Sequence, residues 1–353
     1  MANPEEMREG MPEDRPEGMP GSMKEAIRAI LGLFRTRERF VLTTHINPDG
    51  DGIGSEIALA SWLRKRGKEV RVINHSPLPA VYRFLDPGGT VGEFDPDRDG
   101  PAIAGADVIV VLDTNHPDRL QSMKEAVLGS PATKVCIDHH LDPDPFASPA
   151  LLDENATSTG EILYRLLFGE GDEGLTAEVA TGLYCAIMTD TGSFRYPRTG
   201  PLTHTILSRL IACGADPVRI YAEVYERWSK GRIHLLGEVL AGLRTEFEGR
   251  LAHITITREM LSRTGTSEED TDNFTTYPMS VDGVRVGILF LEIEGGVKIS
   301  FRSKGMIPIN ALAMEFGGNG HKNAAGARIA GGETGEVRAR VLSAALKYVT
   351  GGE

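Results

Sequence analysis

The stretch RFVLTTHINPDGDGIGS, residues 39–55, constrains this chain more than any other. Phe40, Val41 and Leu42 form a short apolar run of β formers that ends where polar residues begin, which predicts a buried strand. Beyond it Ile53, Ile57, Ala60 and Leu63 recur at helical spacing. His45, Asp49 and Asp51 therefore fall on a strand-to-helix loop, where Gly50, Gly52 and Gly54 let the backbone turn sharply and approach a ligand. In an open α/β sheet such a loop lies at the carboxyl end of its strand, where ligands bind.

The same alternation continues. A first helix is expected over residues 24–35, a second strand over 70–73, and a loop with a short helix over 75–86. A Gly, Pro and Asp cluster then runs to Gly105. The apolar run Val108 to Leu112 reads as a strand buried on both faces and ends at Asp113. Val135 to Ile137 form the next strand, ending at Asp138, His139 and His140. Helices follow over 159–168 and 176–188, the second ending at Asp190. Strands alternating with helices indicate a doubly wound parallel sheet.

Parallel strands place their carboxyl ends on one edge, so acids and histidines far apart in sequence can converge there. Each has an ordinary explanation by itself. Asp49 and Asp51 suit a glycine-rich turn, Asp113 a helix cap, Asp190 a helix end, and the paired histidines one core and one exposed position. An EF-hand is excluded because Ala58 occupies the position of its bidentate Glu and a strand precedes the loop. Four Asp and two His ending elements of one sheet are better explained together. Carboxylates about 5 Å apart repel by roughly 3 kcal/mol per pair at an effective dielectric of 20, and two divalent cations would cancel that charge. Mixed carboxylate and imidazole donors favour an ion such as Mn2+, and a pair of such ions suits displacement at phosphorus.

At 353 residues two domains are expected. A net charge of -12 and a pI near 5.3 exclude a broad basic face for long nucleic acid. Cys136, Cys185 and Cys213 are odd in number and widely spaced, which suggests neither disulfides nor zinc and fits a reducing cytoplasm. No apolar stretch reaches the roughly 20 residues that span a bilayer, and no signal peptide is present. Residues 1–22, with EGMP repeated at Glu9 and Glu17, read as a disordered tail.

After Asp190 helical periods cover 202–212, 218–228 and 230–247, the last a connector. Strands are then expected over 251–256, 284–292 and 297–301, with helices over 310–316 and 337–348. Alternation along VKISFRSK turns Arg302 away from the core, where it can fork onto a phosphate or simply face solvent. Gly317, Gly318 and Gly320 permit backbone N–H groups to approach an anion, with His321 as a further donor.

THINPDGDGIGS, VLDTNHPDRL, IDHH and MTDTGSF, in that order, resemble motifs one to four of the DHH phosphoesterase superfamily, and GGNGHKNAAG resembles the signature of its DHHA1 partner domain. The likeness runs from about Met23 to Val349 and is strongest to the oligoribonuclease and pAp-phosphatase (NrnA-like) branch. It implies a DHH domain over 23–228, a helical linker over 229–245 and a smaller α/β DHHA1 domain over 246–353, with the active site in the cleft between them. It also implies two divalent cations, one held by His45, Asp49 and Asp113 and the other by Asp51, Asp113, His139 and Asp190. His140 would face the scissile phosphate and Asp138 would orient histidine. Arg302, Ser303, Gly318, Gly320 and His321 would hold the distal end of the substrate. Asn319 departs from the family pattern, where a third glycine is usual, and is expected to keep the turn by tolerating left-handed geometry.

The implied activity is hydrolysis of short oligoribonucleotides such as pApA to mononucleotides and removal of the 3'-phosphate from nucleoside bisphosphates such as pAp. A cyclic di-AMP phosphodiesterase and a non-catalytic nucleotide-binding regulator are the alternatives. Substrates are short RNA or nucleoside bisphosphates, no long nucleic acid or membrane is expected, and a homodimer is allowed. Tyr196, Phe274 and Tyr277 are candidate base-stacking residues.

Overall fold

The computed structural model describes residues 20–350 apart from 170 and 172, and leaves the side chain of His321 undescribed. The expected disordered tail lies, over residues 1–19, outside the described residues. Its last three positions do not, and two of them, Gly21 and Ser22, open helix α1, which spans Gly21–Thr36. The chain divides into two compact units, the first ending at Arg227 and the second beginning at Trp228.

The first unit is built on β1 (Arg39–Thr43), β2 (Glu69–Asn74), β3 (Val91–Glu93), β4 (Val108–Leu112), β5 (Thr133–Asp138) and β6 (Ala150–Leu152). All adjacent pairs are parallel, in the order β3-β2-β1-β4-β5-β6. The chain therefore reverses its direction of winding between β1 and β4, the position at which doubly wound sheets open a crevice at their carboxyl ends. Helices α2 (Gly50–Arg64), α5 (Thr159–Phe168) and α6 (Ala177–Asp190) join α1 on one face, and α3 (Pro96–Gly105) and α4 (Lys124–Gly129) cover the other. Strand period decides which side chain enters which layer. Val108, Val110 and Leu112 join the layer of α2, α5 and α6, while Ile109 and Val111 join Ile103, Leu120 and Val127. Helices α7 (Pro201–Ala212) and α8 (Pro217–Tyr225) complete the unit.

Two strands and a helix escape the sequence reading. β3 and β6 are three residues each, too short for a period, and β3 has Gly92 at its centre. α3 contains Pro96, Gly100 and Pro101 but is nucleated by Asp95, which accepts from the Asp97 and Arg98 N–H groups at 3.0 and 2.9 Å. Pro96 at the first turn costs no hydrogen bond.

In the second unit α9 spans Lys230–Ala241, stopping at Gly242 rather than continuing to Phe247, and β7 follows at Arg244–Glu246. The expected linker helix packs into this unit's core: Leu235 and Val239 meet Ile254, Ile256, Phe274 and Leu289. Strands β8 (Leu251–Ile256), β9 (Val286–Ile293), β10 (Gly296–Ser303), β11 (Asn319–His321) and β12 (Ala324–Ala330) form a mixed sheet ordered β11-β12-β10-β9-β8-β7, in which only β8 and β9 run parallel. Helix α10 (Arg258–Thr264) follows β8, and α11 (Ile309–Glu315) and α12 (Thr334–Thr350) cover the face carrying Val297, Ile299 and Phe301. The expected glycine-rich loop is thus a β11–β12 hairpin.

Candidate metal centre

Three strand ends and two helices bring the acids and histidines of the first unit together. β1 delivers His45, α2 starts on Asp49 and carries Asp51 in its first turn, β4 ends before Asp113, β5 ends on Asp138, and α6 ends on Asp190. Helices α2 and α6 can meet because glycine faces glycine: a Cβ on Gly54 would lie 2.4 Å from the Gly182 carbonyl, and one on Gly182 would lie 2.7 Å from the Gly54 carbonyl. The approach continues to the helix ends, where Gly50 lies against Thr189, beside Asp190. The glycines of the DGDG loop therefore serve close approach. None of Gly50, Gly52 and Gly54 has the positive φ that a sharp turn would require.

Ligand atoms of His45, Asp49 and Asp113 lie within 4.8 Å of one another, as do those of Asp51, His139 and Asp190. Asp113 faces both groups: Oδ2 is 3.4 Å from His45 Nε2 and Oδ1 is 3.6 Å from His139 Nε2. His139 Nε2 also lies 3.7 Å from Asp51 Oδ2 and 3.4 Å from Asp190 Oδ2. The six sequence-proposed ligands therefore converge.

Neighbouring bonds orient these donors. His45 Nδ1 meets the Ile46 carbonyl at 2.8 Å; a carbonyl only accepts, so Nδ1 carries the proton and Nε2 offers its lone pair. Asp49 caps α2, Oδ1 accepting from the Asp51 and Gly52 N–H groups at 2.9 and 3.2 Å. His140 Nδ1 donates to Asp138 Oδ1 at 2.7 Å, so Asp138 orients the second histidine of the IDHH motif. Asp113 occupies a left-handed backbone position, φ +59°, rare outside glycine and concentrated at functional sites. It does not cap the following helix.

The electrostatics are those of a site built for cations. Burial pushes the carboxyls of Asp51, Asp113 and Asp190 well above the usual carboxylate range, and the neighbouring aspartates push them further. Burial lowers His139 to about 4, helped by His140, and also lowers His45. Asp138 goes the other way: burial would raise it, but the His140 hydrogen bond and charge outweigh that and hold it low. The buried His139 Nε2 has no hydrogen-bond partner despite three nearby carboxylates. Donors about 2.1 Å from one ion sit about 3 to 3.5 Å apart, so this spacing and donor set fit divalent metal.

Three contributors were not read from the sequence. Thr159 donates its N–H to Asp51 Oδ2 at 2.7 Å and its hydroxyl to Asp113 Oδ1 at 3.2 Å, and the Gly160 N–H reaches Asp51 Oδ1 at 2.9 Å. The start of α5 thus aims its free donors at a ligand carboxylate. Its signal was the capping box Ser158-x-x-Glu161, in which the Ser158 hydroxyl accepts from the Glu161 N–H at 3.0 Å. Asn115 donates to the His140 carbonyl at 2.8 Å, and no sequence signal marks it.

The second unit's candidates are differently placed. Arg302 is half-buried on β10, on the face opposite Phe301 as alternation requires, and donates to the Phe301 carbonyl at 3.0 Å. The Ser303 hydroxyl is engaged locally, donating to the Ile307 carbonyl at 2.8 Å and accepting from Asn323 at 2.9 Å. The expected nest of free N–H donors does not form. Gly317 donates to Met314, Gly318 to Ala313 and Gly320 to the Asn319 side chain, at 3.1, 2.9 and 2.7 Å. Gly318 and Gly320 answer a packing need, since a Cβ would lie 2.2 Å from the Gly326 carbonyl or 2.5 Å from the Ala324 carbonyl. Asn319 lies in β11 rather than in the left-handed region. His321 ends β11, and its side chain is outside the described residues. Of the aromatic candidates, Phe274 is fully buried and Tyr277 packs beside it, so both belong to the core, whereas Tyr196 is exposed.

The profile of the DHH family, N-terminal domain, matches residues 39–187, and that of the DHHA1 domain matches 252–350. The bifunctional oligoribonuclease and PAP phosphatase NrnA of Thermus thermophilus is 31% identical over 316 residues, covering 88% of this chain and 90% of that protein. The chain belongs to the DHH family of phosphoesterases. The NrnA of Bacillus subtilis is 27% identical, covering 87% of this chain and 93% of its own length. An exopolyphosphatase-related protein from Bacteroides fragilis, known from its crystal structure, is 31% identical and aligns with a TM-score of 0.88 over 92% of this chain and 97% of that one. This DHH protein has no described helix long and apolar enough to cross a membrane.

Proposed function

We propose that this chain is a divalent-metal-dependent phosphoesterase that hydrolyses short oligoribonucleotides to mononucleotides and removes the 3'-phosphate of nucleoside 3',5'-bisphosphates. The observation that carries the reading is Asp113, whose two carboxylate oxygens face two separate ligand groups, one with His45 and Asp49 and one with Asp51, His139 and Asp190. The names of the NrnA relatives supply the substrate class. Mixed imidazole and carboxylate donors favour Mn2+.

These six residues would hold two divalent ions, which would supply a Lewis acid for the phosphoryl oxygen and lower the pKa of a water. The chain's own groups do the rest. Asp113 is the proposed bridging ligand, and Asp51 is fixed by the donors at the start of α5. His140, held through Nδ1 by Asp138, presents its Nε2 side to a phosphoryl or leaving oxygen. Substrate holding is proposed for the segments that carry Arg302, Ser303, Gly318, Gly320 and His321, with the Arg302 and His321 side chains as donors and the two glycines giving room for the backbone around them. Cys136, Cys185 and Cys213 form no disulfide among the described residues, which supports a reducing, cytoplasmic setting.

The test is a panel of pApA, pAp and cyclic di-AMP with purified protein and Mn2+, resolved by chromatography. AMP from pApA together with inorganic phosphate from pAp is expected, with both lost in EDTA. Turnover of cyclic di-AMP alone overturns the substrate assignment, and absence of all turnover over a range of divalent metals overturns the hydrolase reading.

A further inference from the structure

The loop that leaves the metal centre after Asp190 has no part in the chemistry above, yet it is built with unusual care. Gly192, Ser193 and Phe194 take left-handed φ values of +56°, +57° and +68° in succession. For Ser and Phe this conformation is unfavourable and persists only where the surroundings enforce it. Thr191, buried, provides the enforcement. Its hydroxyl donates to the Ile187 carbonyl at 2.6 Å and accepts from the Phe194 N–H at 3.1 Å, while its carbonyl accepts from the Arg195 and Tyr196 N–H groups at 3.0 and 3.1 Å. Phe194 is anchored edge-on against Tyr184, with ring centroids 5.8 Å apart.

The turn brings two residues that follow Asp190 in the chain, Tyr196 and Arg198, to the surface. The Tyr196 ring lies against the backbone of Gly192, two residues past Asp190, so closely that a Cβ there would meet ring carbons at 2.6 Å. The residue is nevertheless 52% exposed. Such a tyrosine is a rigid aromatic shelf with little conformational entropy left to lose on binding. Arg198 is exposed, and its charge acts on both His139 and Asp190. Its guanidinium has no hydrogen-bond or ion-pair partner among the described residues. A bare cation next to an anion-rich centre is the arrangement that a phosphate on bound substrate would complete.

We infer that residues 192–198 form the nucleotide subsite of the N-terminal unit, with Tyr196 stacking on a base and Arg198 pairing with the phosphate nearest it. This rests on the nucleotide-phosphoesterase reading and deepens it. The subsite selects phosphoesters that carry a base, because an inorganic chain of phosphates gains nothing from the shelf. It is sequence-tolerant, since every base has a π-face.

Steady-state kinetics with Mn2+ on pAp and on its base-free analogue, 1-deoxyribose 3,5-bisphosphate, test the inference. Tyr196→Ala is expected to raise KM for pAp about 5- to 100-fold with kcat within about threefold, and to leave KM for the base-free analogue unchanged. Tyr196→Phe, which keeps the ring, should behave as wild type. Arg198→Ala should raise KM for both compounds. Equal KM for pAp in wild type and Tyr196→Ala, or an equal rise on the base-free analogue, overturns the inference while leaving the phosphoesterase reading intact. Binding of fluorescein-labelled pApA in EDTA supplies a readout independent of turnover. If wild type hydrolyses nothing but binds the label, and Tyr196→Ala weakens that binding, the subsite stands and the hydrolase reading falls; binding unaffected by the substitution overturns the subsite.

Discussion

Residues 49–54 and 317–320 are both glycine-rich segments next to a histidine, but their surroundings differ. Around the first, the buried carboxyls of Asp51 and Asp113 and the half-buried carboxyl of Asp190 are forced out of their ordinary range, and a buried imidazole nitrogen lacks a partner. Around the second, the N–H groups of Gly317, Gly318 and Gly320 all have acceptors within the hairpin and its preceding helix. Chemistry concentrates where folding leaves polar groups unsatisfied, because those groups gain most from a ligand. Gly318 and Gly320 are there so that two strands can touch, and Gly317 supplies the left-handed turn, φ +72°, that ends α11.

The largest effect expected from this contrast is at Asp113, the proposed bridging acid. Asp113→Asn should lower kcat by about 10^3-fold or more, since both ligand groups lose a shared charge. The metal-free variant should melt in denaturant no earlier than wild type, because a carboxylate repelled by its neighbours has been removed. Mn2+ at 100 times its dissociation constant should stabilise wild type by about 2.7 kcal/mol and the variant by much less. A variant with normal turnover would remove the distinction between the two segments.

Glu56 extends the contrast to pH. It is fully buried on α2, its Oε2 accepts from Asn74 at 2.8 Å, and burial pushes its carboxyl up to about 8, the Asn74 bond opposing weakly. The Asn74 Oδ1 in turn accepts from the Thr44 N–H at 3.0 Å, next to His45. A carboxyl with a native pKa above its unfolded value binds more protons when folded, so stability is full at low pH and declines as pH rises from about 4.5 to about 8. The loss expected from Glu56 is about 3 kcal/mol by urea melts, discounted for relaxation around the buried group, and Glu56→Gln should remove that share while the part from Asp51, Asp113 and Asp190 remains.

Gly318→Ala tests the other segment. Its new methyl would overlap the Gly326 carbonyl, so a loss of about 2 kcal/mol in urea stability is expected. A fall in substrate affinity with unchanged stability would instead make the hairpin a binding element. The smallest effect is expected for Thr159→Val, which deletes a 3.2 Å hydrogen bond to Asp113 and should cost about 1 kcal/mol in stability, with a modest fall in kcat.

What could be read in advance divides along physical lines. The buried strands β1, β4 and β8 were legible within a residue or two because apolar runs bounded by polar residues leave few other states. β3, β6, β11 and β12 were not, being short, glycine-bearing or small-residue strands that exist because a neighbouring strand completes their hydrogen bonds. α9 was drawn too long because Leu243 and Phe247 continue its period, while Gly242 and the pairing of β7 with β8 interrupt it. The convergence of the six proposed donors was legible because acids and histidines stand at the ends of recognisable elements.

Local chemistry written along the chain thus pointed to the candidate donors and the elements that carry them, since helix and strand periods depend on near neighbours. Three-dimensional packing settled which polar groups were left unsatisfied. Asp51 meets the start of α5 across 108 positions, and Gly54 meets Gly182 across the α2–α6 contact. No local pattern encodes such encounters, because they depend on close approach between elements that only the assembled core brings together.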